Sequence, residues 1–163
     1  MIIKRKAWWI SGMALAAATA VGISLWSSGG KPSAESRNAS VNPHVCLVTR
    51  TADPLNAALI TATWKALQQA ARAGRANAQR IPVPSAATAV ALPYVNGAVS
   101  QHCRVVIAVG APLAAALDAA ARDQQQTRFV LVGAQSTDSS VVSVTGLSGE
   151  QLTSRIASLL PSA

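Results

Sequence analysis

The run Arg104-Val105-Val106-Ile107-Ala108-Val109 constrains this chain more than any other segment. It has no polar face, so a strand built from it must be covered on both sides, as in a parallel sheet flanked by helices. The rest of the sequence repeats the alternation such a sheet needs. Val45-Cys46-Leu47-Val48-Thr49 is a second apolar, β-branched run and reads as a strand. Asp53-Pro54 follows it, pairing a good helix cap with a residue suited to the first helical turn. Leu55, Leu59, Ala62, Ala66 and Ala70 then recur at helical spacing as far as Arg72, and Gly74 supplies the stop. Residues 79–84 contain Pro82 and Pro84, which cannot donate to a ladder, so this strand belongs at a sheet edge. Residues 85–92 and 94–102 read as two short helices broken at Pro93. After the strand at 104–109, Gly110-Ala111-Pro112 turns into a helix over 113–124. Residues 128–132 and 141–144 make a fourth and a fifth strand, and 150–160 a last helix. The expected fold is α/β, a doubly wound parallel sheet of about five strands. Ligands in such sheets sit beyond the carboxyl ends of the strands where the strand order reverses, which here singles out the loops 49–56 and 110–113.

The amino-terminal part obeys a different rule. Residues 7–26 carry no charge, and a helix of that length reaches about 30 Å, the thickness of a bilayer core. Lys4, Arg5 and Lys6 precede the stretch, and Trp8, Trp9 and Trp26 stand at its ends, where interfacial rings belong. The pattern predicts a basic cytoplasmic tail (1–6), a single transmembrane anchor (7–26) in a bacterial cell membrane, and an extracytoplasmic remainder. The alternative is a signal peptide cleaved near Ala18-Thr19-Ala20, which would release a secreted protein. Leu25-Trp26-Ser27-Ser28 contains no Cys, so no lipid is attached at that point. Residues 27–43 are small and polar, with Gly29-Gly30 and Pro32, and read as a flexible linker to a domain over 44–163.

Composition narrows the chemistry. The net charge is +8, of which Lys4, Arg5 and Lys6 supply three, and only two His and six acidic residues are present. The basic residues beyond the linker, among them Arg50, Arg80, Arg104 and Arg128, form no run, which argues against nucleic acid as a partner. Gly-x-Ser-x-Gly is absent, and Gly110 lacks the further glycines and Lys of a phosphate loop. No enzyme, no cofactor and no metal site is expected; the two-residue spacings of His44, Cys46, His102 and Cys103 suit zinc badly. Cys46 and Cys103 have a different use. In the strand order 2-1-3-4-5 their strands are parallel neighbours, and both thiols fall at the same end, so an exported domain is expected to join them as a disulfide. Asp53, Asn56, Gly110 and Ala111 are the candidate ligand-binding residues, with helix capping by Asp53 and a turn requirement at Gly110 as the structural alternatives.

The same segments resemble the basic membrane protein family, substrate-binding lipoproteins of bacterial ABC transporters related to nucleoside-binding proteins. The likeness runs from Val45-Cys46-Leu47-Val48-Thr49 through Asp53-Pro54-Leu55-Asn56 and Trp64-Lys65-Ala66-Leu67. It continues through Tyr94-Val95-Asn96, the strand ending Val109-Gly110, Ala114-Ala115-Ala116-Leu117-Asp118 and Thr127-Arg128-Phe129-Val130-Leu131-Val132. It covers residues 44–148 and implies one lobe of a type I periplasmic-binding-protein-like fold. By that likeness the chain is a membrane-anchored extracytoplasmic module that binds a ligand or a partner. The alternative is a homodimer that binds a nucleoside-like solute between two copies and feeds an ABC transporter permease. The departures are specific. The loop after the first strand is trimmed to Ala52-Asp53-Pro54-Leu55-Asn56, Ala111-Pro112 stands where the family commonly has a Phe, and the lipid-bearing Cys is missing.

The anchor is directly testable. The protein is expected to fractionate with membranes and to keep an N-terminal peptide beginning near Met1; a mature chain starting at Val21 or Ser28 would contradict it.

Overall fold

The computed structural model describes residues 42–160. The expected tail, apolar span and all but the last two residues of the linker lie outside the described residues. Among the described residues no helix is long and apolar enough to cross a membrane.

Five strands form one sheet: β1 (His44–Arg50), β2 (Asn77–Val83), β3 (Cys103–Val109), β4 (Arg128–Val132) and β5 (Val141–Val144). Every pairing is parallel and the order is β2-β1-β3-β4-β5. Four helices cover the faces: α1 (Ala57–Arg72), α2 (Thr88–Ser100), α3 (Ala114–Asp123) and α4 (Gly149–Leu159). The period-2 alternation of each strand sorts its side chains between two cores. Val45, Leu47, Val105, Ile107, Val130 and Val132 pack on one side with residues of α1 and α4. Cys46, Val48, Val106, Ala108, Phe129 and Leu131 pack on the other with residues of α2 and α3. The apolar runs are thus continuous because both faces of the sheet are dry.

Most elements fall where the sequence puts them, and the differences have local causes. A single 3₁₀ turn, Pro54–Asn56, precedes α1, and a second, Ala111–Leu113, precedes α3. The expected break at Pro93 does not occur: α2 is one helix with Pro93 inside it. Its buried residues Ala91, Val95 and Ala98 form a single stripe that continues past the proline. Pro93 itself is exposed, as is Ala89, whose carbonyl the proline deprives of its helical donor. Between α2 and β3, His102 takes a left-handed conformation at φ 61°, the one such non-glycine residue described.

Cys46 and Cys103 form the expected disulfide, with Cα atoms 5.8 Å apart. The register supplies the alignment. His44 pairs with Cys103, but the next pair is Val45 with Val105, so β3 carries an irregularity at its start. In strict alternation Cys103 would share the face of Val105; the irregularity turns it to the α2/α3 face, where Cys46 lies.

The bridge closes a loop with a sequence separation of 57, which the chain-entropy model values at about 4 kcal/mol. Cys103→Ser is expected to lower the unfolding free energy by a few kcal/mol, read from urea midpoints against reduced and oxidised parent. Alkylation of unreduced protein should find no free thiol.

Candidate functional site

The strand order reverses between β1 and β3, so the loops leaving their carboxyl ends diverge there. The first loop runs from β1 into α1. Thr51 N–H donates to the Val83 carbonyl at 2.9 Å, tying the loop to the neighbouring strand. Asp53 is 9% exposed and caps the turn that follows: its Oδ1 accepts from the Asn56 N–H at 3.3 Å. Its Oδ2 accepts from the Asn56 side-chain Nδ2 at 2.9 Å, so both carboxylate oxygens are bound to one residue. The second loop begins at Gly110, whose N–H donates to the Val132 carbonyl at 2.8 Å.

The two loops meet at Asn56 and Gly110. A Cβ at Gly110 would stand 2.5 Å from Asn56 Nδ2, so the Asn56 carboxamide lies flat against a backbone that only glycine leaves open. Gly110 also sits at φ 92°, ψ 149°, a region that residues with a side chain rarely occupy. Of the candidate residues, Asp53 holds Asn56 and Asn56 meets Gly110, next to which Ala111 follows in the chain. Ala111 and Pro112 are exposed at the rim, and the described residues there offer no aromatic ring for a base to stack on.

On the β2 side of the first loop a cavity of about 420 Å³ opens, lined by Arg50, Thr51, Asp53, Pro54, Ile60 and Arg80 among others. Two larger hollows, of about 510 and 930 Å³, lie at the opposite edge, among the turns entering β3 and β4. They share Arg104 and residues 124–127 and lie between αβ turns, away from the strand-order reversal; the carboxyl edge is the better site on topological grounds.

A second polar cluster was not singled out in the sequence. Asp118, 4% exposed in α3, accepts from Ser136 Oγ at 2.6 Å, Thr137 Oγ1 at 2.8 Å and Thr137 N–H at 3.2 Å. Those partners lie in the connection from β4 to β5, which crosses without a helix. Parallel strands usually need a helical crossover, and here a buried carboxylate holds a bare one in place. Asp138 continues the cluster: hydrogen bonds from the Ser140 side chain and backbone, aided by Arg122 at 3.5 Å, hold its carboxyl below the usual value. The signal in the sequence was only an Asp on an otherwise Ala-rich helix.

The fold is shared with solved structures of low sequence identity. It matches a "putative lipoprotein" fragment from Peptoclostridium difficile 630 at TM-score 0.63 and 17% identity, over 72% of this chain and 98% of that one. It also matches an ABC transporter system solute-binding protein from Aeropyrum pernix K1 at TM-score 0.53 and 15% identity, over 62% of this chain and 28% of that longer one. No family model matches the chain, and no curated protein does.

The loop contact sets the expected outcomes. Gly110→Ala should destabilise the protein by at least about 2 kcal/mol, from the forced φ and the clash with Asn56. Asp53→Ala should cost about 1 kcal/mol, the value of a helix cap. Chemical denaturation of both variants reads the two losses.

Proposed function

We propose that this chain is a membrane-anchored, extracytoplasmic binding module of the basic membrane protein type, without enzymatic activity. The observation that carries the reading is the carboxyl edge of the sheet, where the loops after β1 and β3 meet at the strand-order reversal through Asn56 and Gly110. A solute would rest on that edge, over Ala111 and beside Asp53 and Asn56. Nothing in the cluster pairs a nucleophile with a base, which favours binding over catalysis.

A second reading has its own support. Leu55 is 94% exposed at the tip of the first loop, on the same edge. A large apolar side chain held in water at the rim of a cleft suits a surface that closes on another lobe. In the second reading a second copy supplies that lobe, and the homodimer presents a nucleoside-like solute to an ABC transporter permease.

Calorimetry of the full chain in detergent with adenosine, guanosine, inosine and uridine separates the two. A monomer is expected to bind no better than about 1 mM, near −4.1 kcal/mol, because one lobe leaves about half of a ligand wet. Micromolar binding that appears only with dimer formation favours the second reading. Micromolar binding by a monomer contradicts the geometric argument.

A further inference from the structure

We infer that the cavity beside the first loop is a subsite for a small monocarboxylate with an apolar body, held by Arg50 and Arg80. The inference rests on the reading of the carboxyl edge as the binding edge and names the ligand chemistry that part of it takes.

The two arginines come from neighbouring strands and converge on one cavity of about 420 Å³, within the size range of small-molecule sites. Arg80 is anchored at its root: its Nε–H donates to Thr49 Oγ1 at 3.2 Å, and Thr49 is fully buried. That bond fixes the guanidinium plane and leaves its two terminal nitrogens for another acceptor. Arg50 is held similarly, one terminal nitrogen donating to the Ala52 carbonyl at 2.8 Å. Neither guanidinium has a carboxylate partner among the described residues, where the only ion pair joins Arg122 and Asp138. Two cations that line one cavity without an ion-pair partner offer it several N–H donors for an oxyanion.

The rest of the lining selects among oxyanions. Pro54, Ala57 and Ile60 are apolar, so they suit a hydrocarbon body rather than a hydrated inorganic ion. Asp53 also lines the cavity. Both its oxygens are already engaged by Asn56, so it needs no cation, yet its charge opposes a dianion more strongly than a monoanion. A carboxylate therefore fits better than a phosphate.

The test uses the full chain in lipid nanodiscs, with isovalerate as the probe and isovaleramide, its neutral isostere, as the control. Inorganic phosphate is the third ligand. Isovalerate is expected to titrate the arginine Nε–H resonances saturably, with a Kd near 1 mM, and isovaleramide and phosphate to bind at least tenfold more weakly. Arg80→Gln and Arg50→Gln should each weaken isovalerate at least tenfold while leaving the melting temperature close to the parent's. Isovaleramide binding as tightly as isovalerate, with shifts confined to residues 110–113, would overturn the carboxylate subsite and leave the carboxyl edge as a binding edge. Phosphate binding more tightly than isovalerate would overturn the selectivity argument and the proposal with it. No saturable shift from any of the three would overturn the proposal, while nucleoside calorimetry judges the wider reading separately.

Discussion

The structure depends on covering both faces of the two central strands. β1 and β3 each have a parallel neighbour on either side, and helices lie above and below them. Their backbone groups are paired and their side chains are dry, so polar chemistry has no place within the sheet. The polar residues of these two strands, His44, Thr49, Arg50 and Arg104, stand at or near the strand ends. Thr49, fully buried at the end of β1, marks that border: its hydroxyl accepts from Arg80.

The two edges of the sheet are put to different uses. At the amino edge the chain is stapled. The disulfide joins β1 to β3 there, and Arg128 donates to the Leu159 carbonyl at 2.9 Å, satisfying an end of α4 that has no helical donor left. At the carboxyl edge the chain is held by short-range polar contacts instead. Asp53 caps the turn, Asn56 lies on Gly110, and Arg50 and Arg80 border an open cavity. Reinforcement thus stands at one end of the sheet and exposed, positioned donors at the other.

The β4–β5 connection shows how a short domain of this kind closes its sheet. A helix there would cover more apolar surface, and its absence leaves the crossover to be fixed by hydrogen bonds. Asp118 fixes it with three donors from Ser136 and Thr137, and Asp138 orders the turn into β5 through Ser140. A buried carboxylate is costly unless donors meet its oxygens, and here three do.

The sequence by itself determined the order of elements, the parallel sheet and the pairing of the cysteines, because each rests on local signals or simple topology. Continuous apolar runs require two covered faces, prolines in β2 place it at an edge, and adjacent parallel strands bring Cys46 and Cys103 to one end. Asp53 as a cap and Gly110 as a turn were also readable, since capping and positive φ are properties of a few neighbouring residues. What only the tertiary structure decided involves residues far apart in the chain. Pro93 stays within α2 because the buried stripe of Ala91, Val95 and Ala98 outweighs a lost hydrogen bond on the wet side. The register shift that turns Cys103 toward Cys46, the seating of Asn56 on Gly110, the grip of Asp118 on the helix-less crossover and the convergence of Arg50 with Arg80 all depend on strand register and packing. Local sequence carries no record of those distances, because they are set by which faces the whole sheet must bury.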